Sequence, residues 1–266
     1  MSERQFSTID LSISDDVATI WLHRPESHNG INLQLASELR TIAFDLESNL
    51  DVRVVVLRGR GKHFSVGGDV AMFTEAGDST LPRKMKDVIS NFHEALLSLR
   101  RSTKPSIALV HGACAGGGLS LALACDFVIA AQEAKLAVAY RKLGTSSDGG
   151  MTHLLTRMLG QRRALDLLLL SDTFTADEAL RLGLVNRISP AADLEAELSR
   201  MIVALRQNAP ASVDALKRLA YGSPTSSFEQ QLAAELAAFA ECAGTDDFRE
   251  GVRAFAERRV PHFRGK

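Results

Sequence analysis

The feature that most constrains this chain is a set of short apolar runs that end in glycine and restart as helices. Residues 105–110 (PSIALV) are apolar almost without a break, which marks a strand buried on both faces of a parallel sheet. A glycine-rich stretch, residues 112–118, follows at once, and residues 119–125 read as a helix opening straight out of it. Residues 52–57 (VRVVVL) form a second strand, and Gly59, Gly61, Gly67 and Gly68 make the next segment a loop. Further strands are expected at residues 17–22 (VATIWL, ended by His23-Arg24-Pro25), 127–131, 136–139 and 184–188. Helical spacing of apolar residues covers 33–46, 84–99, 151–159, 164–170 and 176–181. Strands alternating with helices predict α/β architecture. After residue 191 the pattern changes: 192–207, 211–221, 228–242 and 246–259 all read as helices and no strand intervenes. The chain is therefore divided into a core, residues 1–200, and a helical region, residues 201–266.

At 266 residues, one main domain with an appendage is expected, able to bury about three quarters of its unfolded surface. Net charge is −1 and the pI about 6.7, so no general attraction to nucleic acid or an anionic membrane is expected. The three cysteines, Cys114, Cys125 and Cys242, show no C-x-x-C spacing. Cys114 and Cys125 lie among Ala, Gly and Leu and read as buried thiols in a reducing cytoplasm. Residues 1–20 lack a signal-peptide apolar core, and no apolar run reaches the roughly 18 residues needed to span a bilayer. No pair of histidines has metal-ligand spacing, so no metal is expected.

Two glycine loops are the candidate chemistry. Residues 64–69 (FSVGGD) follow one strand; residues 112–118 follow another and open a helix. Glycine lets backbone N–H groups turn into a cavity, and a helix N-terminus adds unpaired donors and a positive partial charge. Two such loops on adjacent strands could aim two N–H groups at one oxygen, as an oxyanion hole, or could simply permit tight turns. Other glycine readings fail. Gly59-Arg60-Gly61 starts like a dinucleotide fingerprint, but its sixth position is Phe64; no phosphate-binding G-x-x-x-x-G-K-[ST] loop exists. Gly118-Leu119-Ser120-Leu121-Ala122 is near a nucleophile elbow, but ends in Ala122, which leaves a Ser120 nucleophile weakly supported.

Four segments, in order and spacing, resemble the crotonase (enoyl-CoA hydratase/isomerase) superfamily: His23-Arg24-Pro25 with Asn29-Gly30-Ile31-Asn32, then FSVGGD, HGACAGGGLSLALACD and LGLVNRI. The tail, Phe248-Arg249-Glu250-Gly251 through Phe255 to Arg258-Arg259, is also similar to that family's closing helix. The resemblance covers nearly the whole chain. It implies an α/β fold, a crotonase-like spiral of repeated β-β-α units with a C-terminal α-helical trimerisation region. It also implies an acyl-CoA thioester substrate, in which coenzyme A is part of the substrate and no separate cofactor is needed. A homotrimer or dimer of trimers is implied too.

Carried over position by position, the oxyanion donors are the N–H groups of Gly68 and Gly117. Gly67, Asp69, Ser120 and Tyr140 fall at substrate- or CoA-binding positions. Val66 resembles the residue whose carbonyl meets the adenine amino group. Arg24 is placed as a phosphate neighbour or, alternatively, as an exposed solvated arginine. Ser120 and Tyr140 stand where typical hydratases carry two water-positioning glutamates; a serine hydroxyl is not basic and a tyrosine has a pKa of about 10, so simple hydration is put in doubt. Asp148, in Ser147-Asp148-Gly149-Gly150, stands where several of the family's isomerases carry their proton-shuttling carboxylate. The nearest site pattern is that of the enoyl-CoA isomerases of phenylacetate degradation. Asp148 could instead activate water, act as the nucleophile of an aryl- or acyl-CoA hydrolase or dehalogenase, or cap the helix beginning at Met151. A member that only binds CoA esters is a further alternative. His93 could face the acyl pocket or be an ordinary helix histidine, and His111 is expected to pack beneath the glycine loop.

Overall fold

The computed structural model describes residues 5–75 and 79–265. A hairpin starts the chain: β1 (Ile9–Ser14) pairs antiparallel with β2 (Val17–Leu22). Its two-residue turn, Asp15-Asp16, has both φ angles positive (49° and 62°), the hairpin geometry that matches strand twist and that aspartate tolerates. From β2 the main sheet continues in parallel through β3 (Val54–Gly59), β4 (Ser106–Val110), β6 (Phe127–Ala131) and β9 (Arg187–Ser189). A second sheet joins β5 (Ala113–Ala115), β7 (Lys135–Ala137) and β8 (Phe174–Thr175). Single parallel bridges, Ile31 with Gly68 and Ser65 with Cys114, extend that second layer into the earlier loops.

The chain thus runs through the main sheet, pairs briefly in the second layer, and then enters a helix. This unit recurs: β2 and Ile31 before α1 (Leu33–Ser48), β3 and Ser65 to Gly68 before α2 (Val70–Glu75) and α3 (Leu81–Arg101), and β4 and β5 before α4 (Gly117–Ala124). β6 and β7 follow, leading through a 3₁₀ turn to α5 (Met151–Leu159) and α6 (Gln161–Leu169). The expectation of a mixed α/β spiral with a mainly parallel sheet is met. β4 is buried at all five positions and α4 at all eight, as uncharged sequences covered on every side should be. Cys114 and Cys125 are buried thiols, and burial pushes that of Cys125 up to about 12.

After α7 (Ala176–Arg181) and β9 come α8 (Leu194–Arg206), α9 (Pro210–Gly222), α10 (Phe228–Ala243) and α11 (Asp246–Glu257). The boundary expected at residue 200 falls inside α8, which buries Leu194 and Leu198 in the core. One polar knot ties α9 down. The Asp126 carboxylate accepts from the Ser106 N–H (2.7 Å), the Ser106 hydroxyl (2.9 Å) and Lys217 Nζ (2.7 Å), and from the Tyr221 hydroxyl. Beyond the knot, α10 and α11 leave large apolar side chains in solvent: Leu236 is 74%, Phe239 67% and Phe255 87% exposed. No helix among the described residues is long and apolar enough to cross a membrane.

Candidate active site

The first loop is built around a buried asparagine, Asn29, which belongs to the Asn29-Gly30-Ile31-Asn32 motif but has no role assigned from sequence. Asn29 Oδ1 accepts from the Arg24 N–H (2.9 Å), and its Nδ2 donates to the carbonyls of Arg60 (2.9 Å), His63 (2.8 Å) and Phe64 (3.1 Å). One side chain therefore satisfies buried backbone groups on two turns. Arg24 adds a second brace: its guanidinium pairs with the Asp69 carboxylate (2.8 Å) and donates to the Gly30 carbonyl (2.5 Å). Only 15% of the Arg24 side chain is exposed, so the solvated-arginine alternative is overturned. Arg24 and Asp69 hold the loop's ends together, behind its glycines.

Gly68 is freed by the strand register. Ile31 donates to the Gly67 carbonyl (2.7 Å) and accepts from the Asp69 N–H (3.1 Å), so the Gly68 N–H points the opposite way. That N–H has no hydrogen-bond partner among the described residues. Phe73 of α2 covers the same glycine, 3.1 Å from where a Cβ would stand. The Val66 carbonyl likewise accepts no hydrogen bond among the described residues.

The second loop delivers Gly117 as the first residue of α4. Gly116 turns the chain with φ 49°, and the first bond within α4 runs from the Ser120 N–H to the Gly116 carbonyl (3.0 Å). The Gly117 N–H therefore lacks an acceptor in its own helix, at its positive end. The two loops interlock where glycine alone fits. A Cβ on Gly67 (φ 92°) would lie 2.9 Å from the Ala115 carbonyl oxygen and 3.0 Å from the Gly117 nitrogen; one on Gly118 would lie 2.5 Å from the Ser65 carbonyl oxygen.

Asp148 reaches the same place from a third turn. Its Oδ1 accepts from the Tyr140 hydroxyl at 2.6 Å and lies 3.8 Å from where a Gly117 Cβ would stand. The helix behind it, α5, is capped by Gly150 with no side-chain hydrogen bond, so the capping alternative for Asp148 is overturned. Its turn is gripped from several sides. The Asp148 carbonyl accepts from Ser120 Oγ (3.0 Å), the Gly149 N–H donates to His93 Nε2 (3.0 Å), and Ser120 Oγ and the Tyr140 oxygen are 3.2 Å apart. His93, left open by the sequence, thus serves as an acceptor that fixes the turn next to Asp148. Burial first, and the neighbouring Asp148 charge second, push the Tyr140 hydroxyl well above its ordinary range, so it stays a donor.

Two other histidines fix the loop below. His111 Nε2 meets the Gly61 carbonyl (2.9 Å), which links the start of the second glycine loop to the first. His63, which no sequence motif marks, accepts from the Ala113 N–H through Nδ1 (2.9 Å), and burial lowers its pKa. Among the described residues no three His, Cys, Asp or Glu side chains come together as metal ligands would.

Two N–H groups without partners among the described residues lie on interlocked glycine turns, and a braced carboxylate stands beside that of Gly117. The sequence profile of the enoyl-CoA hydratase/isomerase family matches residues 12–266. The chain belongs to that family. It is 32% identical over 262 residues to the trans-2-decenoyl-[acyl-carrier-protein] isomerase of Streptococcus mutans, covering 98% of this chain and 99% of that one. Two solved structures of proteins called enoyl-CoA hydratases are similar in fold. One, from Bacillus anthracis, gives a TM-score of 0.91 at 28% identity and covers 98% of this chain and 100% of its own. The other, from a Polaromonas species, gives 0.92 at 33% identity and covers 96% and 99%.

Ser120 and Tyr140 stand in place of the glutamates that the resemblance assigns to water, and both hydroxyls are engaged with Asp148. Of the residues expected at the site, Gly67, Gly117, Ser120, Tyr140 and Asp148 come together in one cluster, with Gly68 on the adjoining loop residue. Arg24 and Asp69 stand behind the first loop as a brace.

Proposed function

We propose that this chain is an enoyl-thioester isomerase that moves a double bond along the acyl chain, with Asp148 as the single acid/base. The observation that carries the reading is the Asp148 carboxylate itself: half-buried, beside the open end of α4, and held by Tyr140 instead of capping a helix. In this reading the N–H groups of Gly68 and Gly117 receive the thioester carbonyl oxygen. Each such donor is typically worth ~2.7–4 kcal/mol of transition-state stabilisation. Asp148 removes a proton from the acyl chain, the electron pair delocalises onto the held oxygen as a dienolate, and Asp148 returns the proton at another carbon. One proton leaves and one arrives, so the step needs no redox group and no metal. Adding water instead would proceed without the paired glutamates that the resemblance gives to hydratases, since Ser120 and Tyr140 stand at those positions and neither hydroxyl is a base at neutral pH. The free Val66 carbonyl supports an adenine contact and hence the CoA form of the substrate. The Streptococcus mutans relative, named for an acyl-carrier-protein substrate, makes that carrier the other form to try.

The test is product analysis on 2-enoyl and 3-enoyl thioesters of CoA and of acyl carrier protein, with aryl-CoA esters alongside. The expected result is interconversion of enoyl isomers with no change in mass. Gain of one water, release of free CoA, or binding with no turnover on every substrate would each reject the isomerase assignment.

We also propose that α10 and α11 pack on neighbouring copies in a homotrimer or dimer of trimers. Support comes from the exposed stripe of Leu232, Leu236, Phe239 and Phe255, since closed symmetric assembly is the usual way to cover such a face. Light scattering at micromolar concentration should give a mass of at least three chains. A stable monomer there removes the proposal.

A further inference from the structure

The base is not left to itself. Tyr140 sits on a 3₁₀ turn (Tyr140–Leu143) that begins after Ala139, a non-glycine residue with φ 67°. That unusual backbone turns the phenol inward, where it is half-buried and meets the Asp148 carboxylate oxygen Oδ1 at 2.6 Å. A hydroxyl–oxygen distance of this length is typical of a bond to an ionised carboxylate, ~2.5–2.7 Å, which is roughly twice as strong as one between neutral groups. Such a bond favours the charged acceptor over the protonated one. It also occupies Oδ1, leaving Oδ2 to carry the proton.

On the reading given under Proposed function, Asp148 passes through three states: carboxylate, carboxylic acid beside a dienolate, and carboxylate again. The Tyr140 bond is strong in the first and last and weaker in the middle. We propose that Tyr140 is a positioning residue that shortens the life of the dienolate by driving Asp148 to hand its proton back to carbon. Ser120 Oγ, 3.2 Å from the phenol oxygen, keeps the ring in register with the turn it serves. The consequence is kinetic and specific. While the dienolate waits, the proton on Asp148 can exchange with solvent; a fast return suppresses that exchange, and a slow return permits it. Tyr140 therefore sets how much solvent hydrogen enters the product per double-bond shift.

The experiment compares the full-length protein with Tyr140→Phe, turning over a 3-enoyl-CoA in D₂O, with deuterium counted in product and recovered substrate by mass spectrometry. Phenylalanine keeps the ring and loses the donor. Hydrogen bonds to charged groups are worth enough to change a partition by roughly tenfold or more. The variant should bind an unreactive acyl-CoA as the parent does and take up about tenfold more deuterium per isomerisation. A purely structural role would lower turnover without moving that ratio, and a ratio equal to the parent's overturns the proposal. If Tyr140→Phe does not fold, fluorotyrosine placed at position 140 answers the same question in the opposite sense. Its more acidic hydroxyl is a stronger donor and should reduce deuterium uptake per turnover; no reduction, or an increase, overturns the proposal. The two readings fail separately. A parent enzyme that hydrates, or an Asp148→Asn variant that still isomerises, removes the Asp148 assignment. A parent that isomerises, an inert Asp148→Asn and an unchanged deuterium ratio remove only the role of Tyr140.

Discussion

Asp148→Asn should lower turnover by roughly 10²–10⁴-fold, the range typical of a lost general base, while leaving the affinity for an acyl-CoA nearly unchanged. Asparagine has the same shape and keeps an oxygen to accept the Tyr140 hydroxyl bond, so the turn held by Ser120 and His93 has no cause to move. What it loses is the capacity to take a proton from carbon. Calorimetry and the melting temperature should therefore match the parent while product formation collapses. Full activity in this variant would return the site to other candidates, the Ser120 hydroxyl first among them. Mass spectrometry of the parent during turnover adds a second discrimination. A covalent acyl or aryl adduct on Asp148 would make it a nucleophile, not a proton carrier.

The second large effect belongs to a residue with no functional group. Gly67→Ala places a methyl 2.9 Å from the Ala115 carbonyl oxygen and 3.0 Å from the Gly117 nitrogen, on a backbone whose φ of 92° already excludes most side chains. Both obstacles are backbone, so the two loops must part, and the donors of Gly68 and Gly117 part with them. Loss of one donor from an oxyanion hole typically lowers turnover ~10²–10³-fold, and that is the expected fall. Gly160→Ala supplies the control. Its φ of 77° imposes a similar backbone penalty, but nothing lies within 4 Å of the added methyl. Both variants should melt lower, by about 2–4 °C for each kcal/mol of strain. Only Gly67→Ala should lose activity. Equal turnover in the two would mean that the interlock of the loops does not shape the reaction.

What the sequence disclosed and what it hid divide along one physical line. Elements whose pattern is local were legible. The continuous apolar run 105–110 is a buried parallel strand, and the glycines after it do open a helix. The hairpin strand β1 escapes the reading although Ile9–Ser14 alternates apolar and polar residues as a strand does, because its turn is Asp15-Asp16, without the glycine that usually marks a hairpin. The strand expected at 184–188 lies at Arg187–Ser189, since Leu184 and Val185 are spent on the core before pairing starts. β5 was hidden inside the glycine loop, where three residues of pairing leave no period to read. Site residues whose role depends on a distant partner were mostly beyond reach. The partner that buries Arg24 is Asp69, and the acceptor that fixes Gly149 is His93, 56 positions away. Spacing alone allows Asp148 as a helix cap; in the fold the cap position falls to Gly150, and the Asp148 carboxylate accepts from Tyr140.

The knot on Asp126 has a consequence for how the chain is made. Its helical partners are Lys217 and Tyr221, and Tyr221 is 95 residues further on. At a synthesis rate of ~5–20 residues per second, about 5–20 s separate the appearance of that carboxylate from the arrival of its clasp. During that interval the emerging core carries a charge destined for burial, with only Ser106 to answer it. Every residue of the candidate site has already left the ribosome by then, ahead of the segment that clasps the start of β4 and β6. Release of a nascent chain stalled before residue 217 should thus yield a molecule with its glycine turns written but the Asp126 carboxylate unclasped on its helical side.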